Sequence, residues 1–590
     1  MTNGFRESYA DYRRRLEVAL DRRPADKVFT GGKVLNVFTG ELLPRDFAVF
    51  KERIAYVSQP GAHGTGKGAE RVDLTGKIVV PGYFDPHAHT DLFYTPWEFA
   101  RTVAAKGTTA IFSDSHDMAN GLGMEGFLKV LNQAGVFPLR FFSGVPLASP
   151  PYRIEGEDLY DLGKVKHLLR YRKIVRSGSE LTPWKKVIDG DEALWEKLHA
   201  VRRATGRLEG HTVGARGTKL EALVSAGITS CHESLTVRDV EERLRLGLYV
   251  MIRQGSIRRE FDRLFPFLKD YHARIMLTPD GLFADEIARK GYMDAVLKEA
   301  LDHGADPVSV IRMVTLNPAV YFGLEAHLGG TAPGRLADFN VLSDLRNPTP
   351  EQVWIGARLV SREGVWKGPS VRPPVTDSTS RPFEIPPLEG VDLHARYPST
   401  FPNGIPVIDV IDKTITGVYP WVPRGGREGA ADPGQDVLKV ALIHRSGPKA
   451  GMGIGYVHGF GLDPGVQVAS SVAHETHHVM VMGDDDGDMA RAVNEVVRMG
   501  GGVVIGFRGS VLYRLPLPVG GIMSLLSMED LARELVTARR TLRRLGSPLP
   551  DPLWTFCFLS FTSILHLRLT LSGVYDVRAG KILYNARKIP

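Results

Sequence analysis

The sequence predicts an α/β protein built around a (β/α)8 barrel of the TIM type, with a small flanking β-sandwich and a C-terminal α+β domain. Three observations support this fold class. Strand-like and helix-like segments alternate between residues 80 and 325, a length that suits one barrel of parallel βα units. Segments of β character lie before and after that stretch. Ionisable residues recur at the predicted strand ends, where barrel enzymes carry their active sites.

Residues 1–79 are predicted to form an N-terminal segment and the first part of the β-sandwich. Residues 5–25 have the pattern of a short amphipathic helix. Runs of β-branched and aromatic residues, separated by glycine turns, then predict strands over Val28–Val37, Phe47–Phe50 and Ile54–Val57. A small sheet module therefore precedes the barrel in the chain.

The barrel is predicted over residues 80–325. The apolar runs Thr108–Phe112 and Arg274–Leu277 have the length of buried strands. Helical patterns lie between them, for example over Leu194–Ala204 and Val237–Leu246. Because the carboxyl ends of barrel strands meet at one face, we expect functional side chains to converge there.

The remaining chain is divided into three predicted parts. Residues 326–370 return to β character and are expected to complete the sandwich, and residues 371–403, rich in Pro, Ser and Thr, are predicted to be a linker or a loosely draped connection. Residues 404–590 form the predicted C-terminal domain. Within it, Asp484–Asp488 opens a helix that runs to about Met499. We interpret these carboxylates as helix caps, since no glutamate closes a calcium loop at the required spacing.

Length, charge and cysteine content narrow the class of protein. A chain of 590 residues is too long for one core. The net charge of +7 is modest and the arginines are scattered apart from Arg13–Arg15, so no nucleic-acid partner is expected. The two cysteines, Cys231 and Cys557, indicate a reducing compartment. No secretory signal is visible, and the apolar run Trp554–Leu567 is short and contains His566. We therefore expect a cytoplasmic protein without a membrane partner.

Two histidines stand at the end of a predicted strand. The run from Val79 ends in Asp85-Pro86-His87-Ala88-His89. Residues i and i+2 of an extended strand point the same way, so His87 and His89 can aim at one point. Neutral imidazoles suit Zn, Mn and Fe. Two ligands alone do not hold a metal, and a pair of ordinary histidines on a turn is the simpler interpretation of this motif by itself.

Further ionisable residues follow other apolar runs in the barrel region. One such residue could be a helix cap after a strand. Several of them, each at a strand end, favour a metal site instead. The residues concerned are Asp114, His116, Asp117, Glu180, His211, His232, Glu233 and Asp280.

At this point the chain resembles a known superfamily. The His87-Ala88-His89 motif after Pro81-Gly82, the single histidines at 211 and 232, the late Asp280 and the closing Ala332–Asp338 are similar to those of the amidohydrolase superfamily. Within it, the chain is most similar to the bacterial adenine deaminases. The stretches that carry this resemblance are Gly107–Thr109, His116–Asn120, Met251–Ser256, Ile311–Pro318, Gly459–Leu462, Ala469–His474 and Leu515–Pro518.

The resemblance implies a metal-dependent deaminase with two divalent ions, whether Mn, Zn or Fe. His87 and His89 would bind one ion, His211 and His232 the other, with Glu180 bridging them. A metal-bound hydroxide would attack C6 of adenine or a related purine and ammonia would leave. Asp280 would take the proton and return it to the leaving nitrogen, and Glu233 could help to move protons.

The chain departs from the family pattern close to this chemistry. Asp91 stands where the family has a glutamate, His116-Asp117 replaces a His-Glu pair, and Cys231, which we interpret as a small buried residue, replaces an aspartate. The aspartate expected to be catalytic is Pro279, so Asp280 matches the family's second aspartate or reaches the site through a shifted backbone. Asp91, His116 and Asp117 are possible additional ligands for metal or substrate.

These departures keep alternatives open. The same metals could hydrolyse a cyclic amide such as a lactam, an imide or a hydantoin-like ring, or the chain could be a catalytically impaired homologue. His474, His477 and His478 could reach the site, bind a further metal or be satisfied in packing. The expected partner is a small heterocyclic substrate, and a homo-oligomer, a dimer or larger, is expected.

Overall fold

The structure is a computed structural model that describes residues 5–63, 68–152, 158–269, 271–368, 383–425 and 427–587. Residues 371–382 of the predicted linker lie outside the described residues. In the described part of the chain no helix is long and apolar enough to cross a membrane.

The described residues of the N-terminal segment form one helix and seven strands. The helix is shorter than predicted because Asp21 takes a left-handed φ of +56°, which ends it. The bounds of these elements are α1 (Tyr9–Ala19), β1 (Lys27–Thr30), β2 (Lys33–Asn36), β3 (Glu41–Pro44), β4 (Asp46–Phe50), β5 (Arg53–Ser58), β6 (Glu70–Asp73) and β7 (Ile78–Pro81).

Eight parallel strands and the helices between them form the barrel. The barrel strands are β8 (Tyr83–His89), β10 (Thr108–Asp114), β11 (Arg140–Val145), β12 (Val175–Leu181), β13 (Leu208–Gly210), β14 (Ser230–Cys231), β15 (Tyr249–Arg253) and β16 (Ile275–Thr278). A short strand, β9 (Phe93–Tyr94), leaves the barrel after β8. The helices are α2 (Pro96–Ala104), α3 (His116–Gln133), α4 (Leu162–Leu168), α5 (Trp184–Ile188), α6 (Glu192–Thr205), α7 (Thr218–Ala226), α8 (Val237–Arg245), α9 (Phe261–Leu264), α10 (Pro266–Lys269), α11 (Ala284–Lys290), α12 (Met293–Asp302), α13 (Pro307–Met313) and α14 (Leu316–Tyr321).

The barrel strands follow one another in chain order from β8 to β16, all in parallel register. A parallel bridge between Ala88 and Asp280 brings the first strand to the end of the last. The fold class predicted from the sequence is therefore confirmed. The carboxyl ends of the strands form the face that we call the mouth.

The chain then returns to the first sheet. The strands β17 (Phe339–Leu342), β18 (Gln352–Ile355), β19 (Arg358–Arg362) and β20 (Val365–Trp366) follow the barrel. β17 pairs antiparallel with β7, which gives a seven-stranded sheet in the order β20-β19-β18-β17-β7-β2-β3. A second sheet, β5-β4-β1-β6, packs against it through Phe29, Phe47, Phe339 and Trp354. Strands from both sides of the barrel thus share one sheet, as predicted.

The C-terminal unit is an α+β layer structure. Its elements are β21 (Ile405–Val410), β22 (Thr416–Trp421), β23 (Val437–Ile443), β24 (Met452–His458), β25 (Val466–Ser470), β26 (Val479–Gly483), α15 (Asp486–Arg498), β27 (Gly502–Phe507), β28 (Ser510–Pro516), β29 (Met523–Ser524), α16 (Met528–Arg544), α17 (Pro552–Cys557), β30 (Leu567–Thr570), β31 (Gly573–Asp576) and β32 (Lys581–Tyr584). Eight strands form one sheet in the order β22-β21-β24-β23-β26-β25-β27-β28.

Two predictions within this unit are confirmed. Asp485 caps α15, since its side chain accepts a hydrogen bond from the Asp488 N–H. The first part of the apolar run, residues 554–562, is buried, whereas Leu565 is 42% exposed. The described end of the predicted linker is packed rather than loosely draped, because Asn494 of α15 bonds to both the N–H and the C=O of Leu388.

The C-terminal unit covers the mouth of the barrel. β29 pairs with β9, so the two units share a small parallel ladder. The Met528 N–H donates to Glu98 Oε1 at 2.8 Å, and the Trp554 ring stacks on Phe283 at 4.3 Å. These contacts place residues of the C-terminal unit directly above the strand ends.

Candidate active site

Four barrel strands bring the five predicted metal ligands to one place. His87 and His89 end β8, Glu180 lies near the end of β12, His211 follows β13 and His232 follows β14. All five side chains are buried. Each strand end contributes one or two ligands because parallel barrel strands all present their carboxyl ends to the mouth.

The first group consists of His87, His89 and Asp280. Asp280 Oδ1 lies 3.4 Å from His87 Nε2 and 3.1 Å from His89 Nε2. The other ring nitrogen of His87, Nδ1, bonds to Glu209 Oε2 at 2.8 Å. A carboxylate behind a ligand histidine fixes the ring and raises its basicity, which is the usual arrangement at metal sites.

The second group consists of Glu180, His211 and His232, with Glu233 beside them. Glu180 Oε2 lies 2.8 Å from His211 Nδ1 and 3.0 Å from His232 Nε2. Glu233 Oε1 is 3.8 Å from the same His211 nitrogen. The second carboxylate oxygen of Glu180, Oε1, is 4.0 Å from His89 Nε2. Glu180 therefore spans the two groups.

The donor set fits divalent metal ions. Imidazole nitrogens and carboxylate oxygens are ligands for Zn, Mn and Fe. His87, His89 and Asp280 can place one ligand atom each within 4.8 Å of one another, and so can His87, Glu180 and His232. His87 Nε2, which faces Asp280 Oδ1, is buried and has no hydrogen bond of normal geometry among the described residues. Buried polar atoms without partners are costly, and a bound ion is one way to satisfy such atoms.

Asp280 reaches the site by a local change of the backbone. It has a left-handed φ of +61°, which is uncommon for a residue other than glycine. Its N–H donates to Thr278 Oγ1 at 2.9 Å, and that hydroxyl donates to the carbonyl of His87 at 2.6 Å. The preceding carbonyl, of Pro279, packs so closely on Gly255 that a Cβ there would lie 1.9 Å from it. Gly255 therefore makes room for this turn.

The electrostatics of the site favour an ionised Asp280. Burial opposes its ionisation, but contacts with His87 and His89 outweigh burial and hold the pKa of Asp280 well below its usual value. The pKa of Glu233 is lowered in the same way. Burial raises it, but the charges of Arg253 and His211 lower it to about 2. Both carboxylates are therefore anionic near neutral pH.

Arg253 is the main residue of the site that the sequence reasoning missed. It ends β15 and is buried between three carboxylates. Its Nη1 contacts Glu233 and lies 3.4 Å from Asp280 Oδ2, and its Nη2 donates to Glu260 Oε1 at 2.7 Å. The available signal was its place in Met251–Ser256, one of the stretches that carry the family resemblance.

The additional ligand candidates lie beside this centre. His116 Nδ1 contacts Asp114 and lies 3.5 Å from Glu180 Oε1. Asp117 faces the C-terminal unit, where His477 Nε2 bonds to its Oδ1 at 2.8 Å. Asp91 is buried near His89 and His116, and burial raises its pKa to about 7. His474 Nδ1 lies 3.2 Å from Asp117 Oδ2, so His474 and His477 both reach the barrel, whereas His478 packs against His444 within the C-terminal unit.

A pocket opens above the two ligand groups. Its floor is formed by four of the predicted ligands (all but His87), together with Arg253 and Asp280. Its roof comes from the C-terminal unit, through His474, Phe558, Phe561 and Ile564. The His474 ring is 4.4 Å from Phe558 and 4.6 Å from Phe561. The roof can therefore cover a flat ring and exclude water from the floor.

The two cysteines are buried and free in the described part of the chain. Cys231 lies beside His232, and its Sγ is 2.9 Å from Thr212 Oγ1. Its burial agrees with the prediction of a small packed residue rather than a reactive thiol.

A parallel barrel with histidines and carboxylates buried at its mouth defines the amidohydrolase class of enzymes, and the comparisons with known proteins show that class for this chain. The amidohydrolase family matches residues 78–360, and the adenine deaminase C-terminal domain matches residues 421–581. An adenine deaminase of Desulfatibacillum aliphaticivorans is 34% identical over 561 residues, covering 94% of this chain and 96% of the relative. One of Archaeoglobus fulgidus is 32% identical over 575 residues, covering 97% of each. The chain belongs to the adenine deaminase family.

Among solved structures, a crystal structure of an adenine deaminase is similar to 57% of this chain and 99% of its own, with 17% identity and a TM-score of 0.42.

Proposed function

We propose that this chain is a metal-dependent hydrolase of C–N bonds that deaminates adenine or a closely related purine at C6 and releases ammonia. The observation that carries the proposal is the position of Glu180, whose two carboxylate oxygens face different histidine groups at the barrel mouth. The relatives are adenine deaminases, and this chain matches them over nearly their whole length. They support the proposed substrate class.

In this proposal, His87 and His89 would hold one divalent cation and His211 and His232 a second, with Glu180 placed to serve both groups. The donor set suits Mn, Zn and Fe alike. When bound, two such cations lower the pKa of a water molecule towards neutrality and stabilise negative charge that develops on the substrate. Glu209 keeps the His87 ring in place through its Nδ1.

Asp280 is the proposed proton carrier. It is buried beside His87 and His89, which hold its pKa below the usual value and keep it ionised, so its carboxylate is free to take a proton from the attacking water. It then returns that proton to the leaving amine nitrogen, since the same carboxylate faces the site throughout the reaction. Arg253 holds Asp280 and Glu233 at the edge of the pocket. The position of Asp280 in the ligand cluster, 3.1 Å from His89 Nε2, argues against an impaired homologue despite Pro279.

The roof residues are proposed to bind the purine ring. Phe558 and Phe561 lie edge to face, with ring centroids 5.8 Å apart, above the two ligand groups. A flat heterocycle can stack on one ring and meet the edge of the other. This is the contribution of the C-terminal unit to catalysis, because it excludes water where charge develops.

A second candidate is hydrolysis of a cyclic amide such as a lactam, an imide or a hydantoin-like ring. Asp91 and Pro279, which depart from the family pattern next to the ligands, favour it. The two reactions differ in their products, since opening a ring releases no ammonia. The expectation of a homo-oligomer stays a prediction.

Ammonia release from the manganese-loaded protein tests the proposal. The panel consists of adenine, N6-substituted purines and simple cyclic amides. We expect ammonia from adenine or an N6-amino purine, no release from His211→Asn, and an unchanged rate in the surface variant His199→Asn. Ring opening without ammonia would establish the cyclic amidase instead. If the metal-loaded protein formed no product from any compound of the panel, both candidate functions would be overturned.

A further inference from the structure

A second cluster of histidine and carboxylate side chains lies where the barrel meets the C-terminal unit. We call it the seam cluster and define it as His116, Asp117 and His474. His116 and Asp117 begin α3 of the barrel, and His474 lies in the loop between β25 and β26. All three are buried. The seam cluster shares no residue with the two ligand groups of the proposed active site.

The spacing of the seam cluster is that of ligands around a metal ion. His116 Nε2 lies 3.7 Å from Asp117 Oδ1, and His474 Nδ1 lies 3.2 Å from Asp117 Oδ2. One ligand atom of each residue lies within 4.8 Å of the others. Two ligands that are each about 2.1 Å from a tetrahedral ion are separated by roughly 3.4 Å. The observed distances lie on both sides of this value.

The ligand atoms are held in place from behind. His116 Nδ1 contacts Asp114, which turns His116 Nε2 towards the seam. His477 Nε2 and the Glu475 N–H both bond to Asp117 Oδ1, at 2.8 and 3.1 Å. Such outer contacts are the ones that orient metal ligands in known sites. Among the described residues, His116 Nε2 and Asp117 Oδ2 have no hydrogen bond of their own.

Two more carboxylates face the seam cluster without partners. Asp91 is 4% exposed and Glu475 is 1% exposed. Within the described chain, neither oxygen of either carboxyl group is matched by a hydrogen bond of normal geometry. The charged groups that act on Asp91 include Asp117 and His116, and those that act on Glu475 include His116 and His474. Buried carboxylates are paired or coordinate metals in folded proteins, and three of them converge here.

We propose that the seam cluster binds a third divalent cation, separate from the two at the proposed active site. His116, Asp117 and His474 are its ligands, and the carboxylates of Asp91 and Glu475 supply charge and further oxygen ligands. The mixed nitrogen and oxygen donors favour Mn, Fe or Zn over Ca or Mg. Because the ligands come from both units, this ion joins the roof of the pocket to the barrel. It therefore holds the C-terminal unit over the mouth.

Metal analysis of the intact protein tests this site. The apoprotein is loaded with Mn²⁺, freed of weakly bound ions by gel filtration and analysed by mass spectrometry. We expect about three Mn per chain in the wild type, by adding the seam ion to a binuclear pair, and about two in His474→Asn. His199→Asn, which alters an exposed histidine, retains the wild-type number. Two ions in the wild type, or an unchanged number in His474→Asn, would overturn the proposal.

Anomalous diffraction from crystals of the Mn²⁺-loaded wild type gives an answer that does not depend on a variant. The expected result is a peak between His116 and His474, apart from those near Glu180. A map with peaks only near Glu180 would overturn the site even if His474→Asn failed to fold. Neither measurement depends on enzymatic turnover. A negative result for the seam ion would therefore leave the proposed deamination untested, and failure of the deamination assay would leave the seam ion untouched.

Discussion

The interior of the barrel has two halves of opposite chemistry. The base is apolar: Phe84, Phe112 and Phe142 come from three strands and pack with Phe322, which follows α14. The Phe322 ring stacks on Phe112 at 4.7 Å and on Phe84 at 5.5 Å. The mouth, above this layer, is lined by histidines, carboxylates and Arg253. The change from one half to the other takes place within single strands.

The strand β10 shows how short the transition is. Phe112 belongs to the base, and Asp114, two residues later on the same face of the strand, contacts His116 at the mouth. Burial of Phe112 stabilises the fold, whereas burial of Asp114 costs free energy unless its partners are in place. This difference in the energetics of burial indicates that the base stabilises the barrel, whereas the polar residues of the mouth serve catalysis. Changes in the two halves should therefore have separable effects.

The largest effect on chemistry is expected from Asp280→Asn. The amide keeps the shape of the side chain but cannot accept the proton, so kcat should fall by about 10²- to 10⁴-fold. Metal content should stay close to the wild-type level, since His87 and His89 are intact and the amide oxygen of asparagine can take the place of the carboxylate oxygen in the ligand group. Steady-state ammonia release and metal analysis of the same preparation check both expectations. Asp302→Asn, at an exposed carboxylate, serves as the control. A wild-type kcat in Asp280→Asn would remove Asp280 from the mechanism.

The opposite pattern is expected from Phe112→Ala at the base. Truncation of a fully buried phenylalanine typically lowers the free energy of unfolding by about 3–5 kcal/mol. The folded fraction should still bind metal and release ammonia at a rate close to that of the wild type. Denaturant or thermal unfolding measures the first quantity, with Leu20→Ala, at an exposed position, as the control. Loss of metal from a folded Phe112→Ala protein would show that the two halves are not separable.

The sequence predicted the barrel because its signals are local. Runs of four to seven apolar residues mark buried strands, and His87 and His89 share a face because a strand has a period of two. Glu180, His211 and His232 could be identified because each follows such a run. The strand ends then bring them together without any further information.

Contacts between distant parts of the chain could not be predicted in this way. Asp117 meets His477 across 360 residues, and no local pattern indicates that pairing. Arg253 belongs to a stretch that carries the family resemblance, but only the fold shows that its side chain lies between Glu233 and Asp280. The left-handed turn at Asp280 depends on Gly255, which belongs to the neighbouring strand end. Such features arise from packing between elements and not from periodicity.

The smallest effect is expected at the roof, in Phe561→Ala. The Phe561 side chain cannot bind a metal ion or carry a proton. Its ring centroid is 6.1 Å from that of His211. Loss of one stacking surface is expected to cost about 1.4 kcal/mol of substrate binding, which is roughly a tenfold rise in KM. kcat should change by less than about threefold, because the proton carrier and the ligands stay in place.

Initial rates over a range of substrate concentrations separate the two constants, and Tyr9→Ala, at a largely exposed aromatic residue, provides the control. An unchanged KM in Phe561→Ala would mean that the roof excludes water without contacting the substrate. An equal fall in kcat and in kcat/KM, with metal content preserved, would mean that the ring acts in the transition state. In that case the roof would belong functionally with the mouth, because it would take part in the chemistry rather than in substrate binding alone.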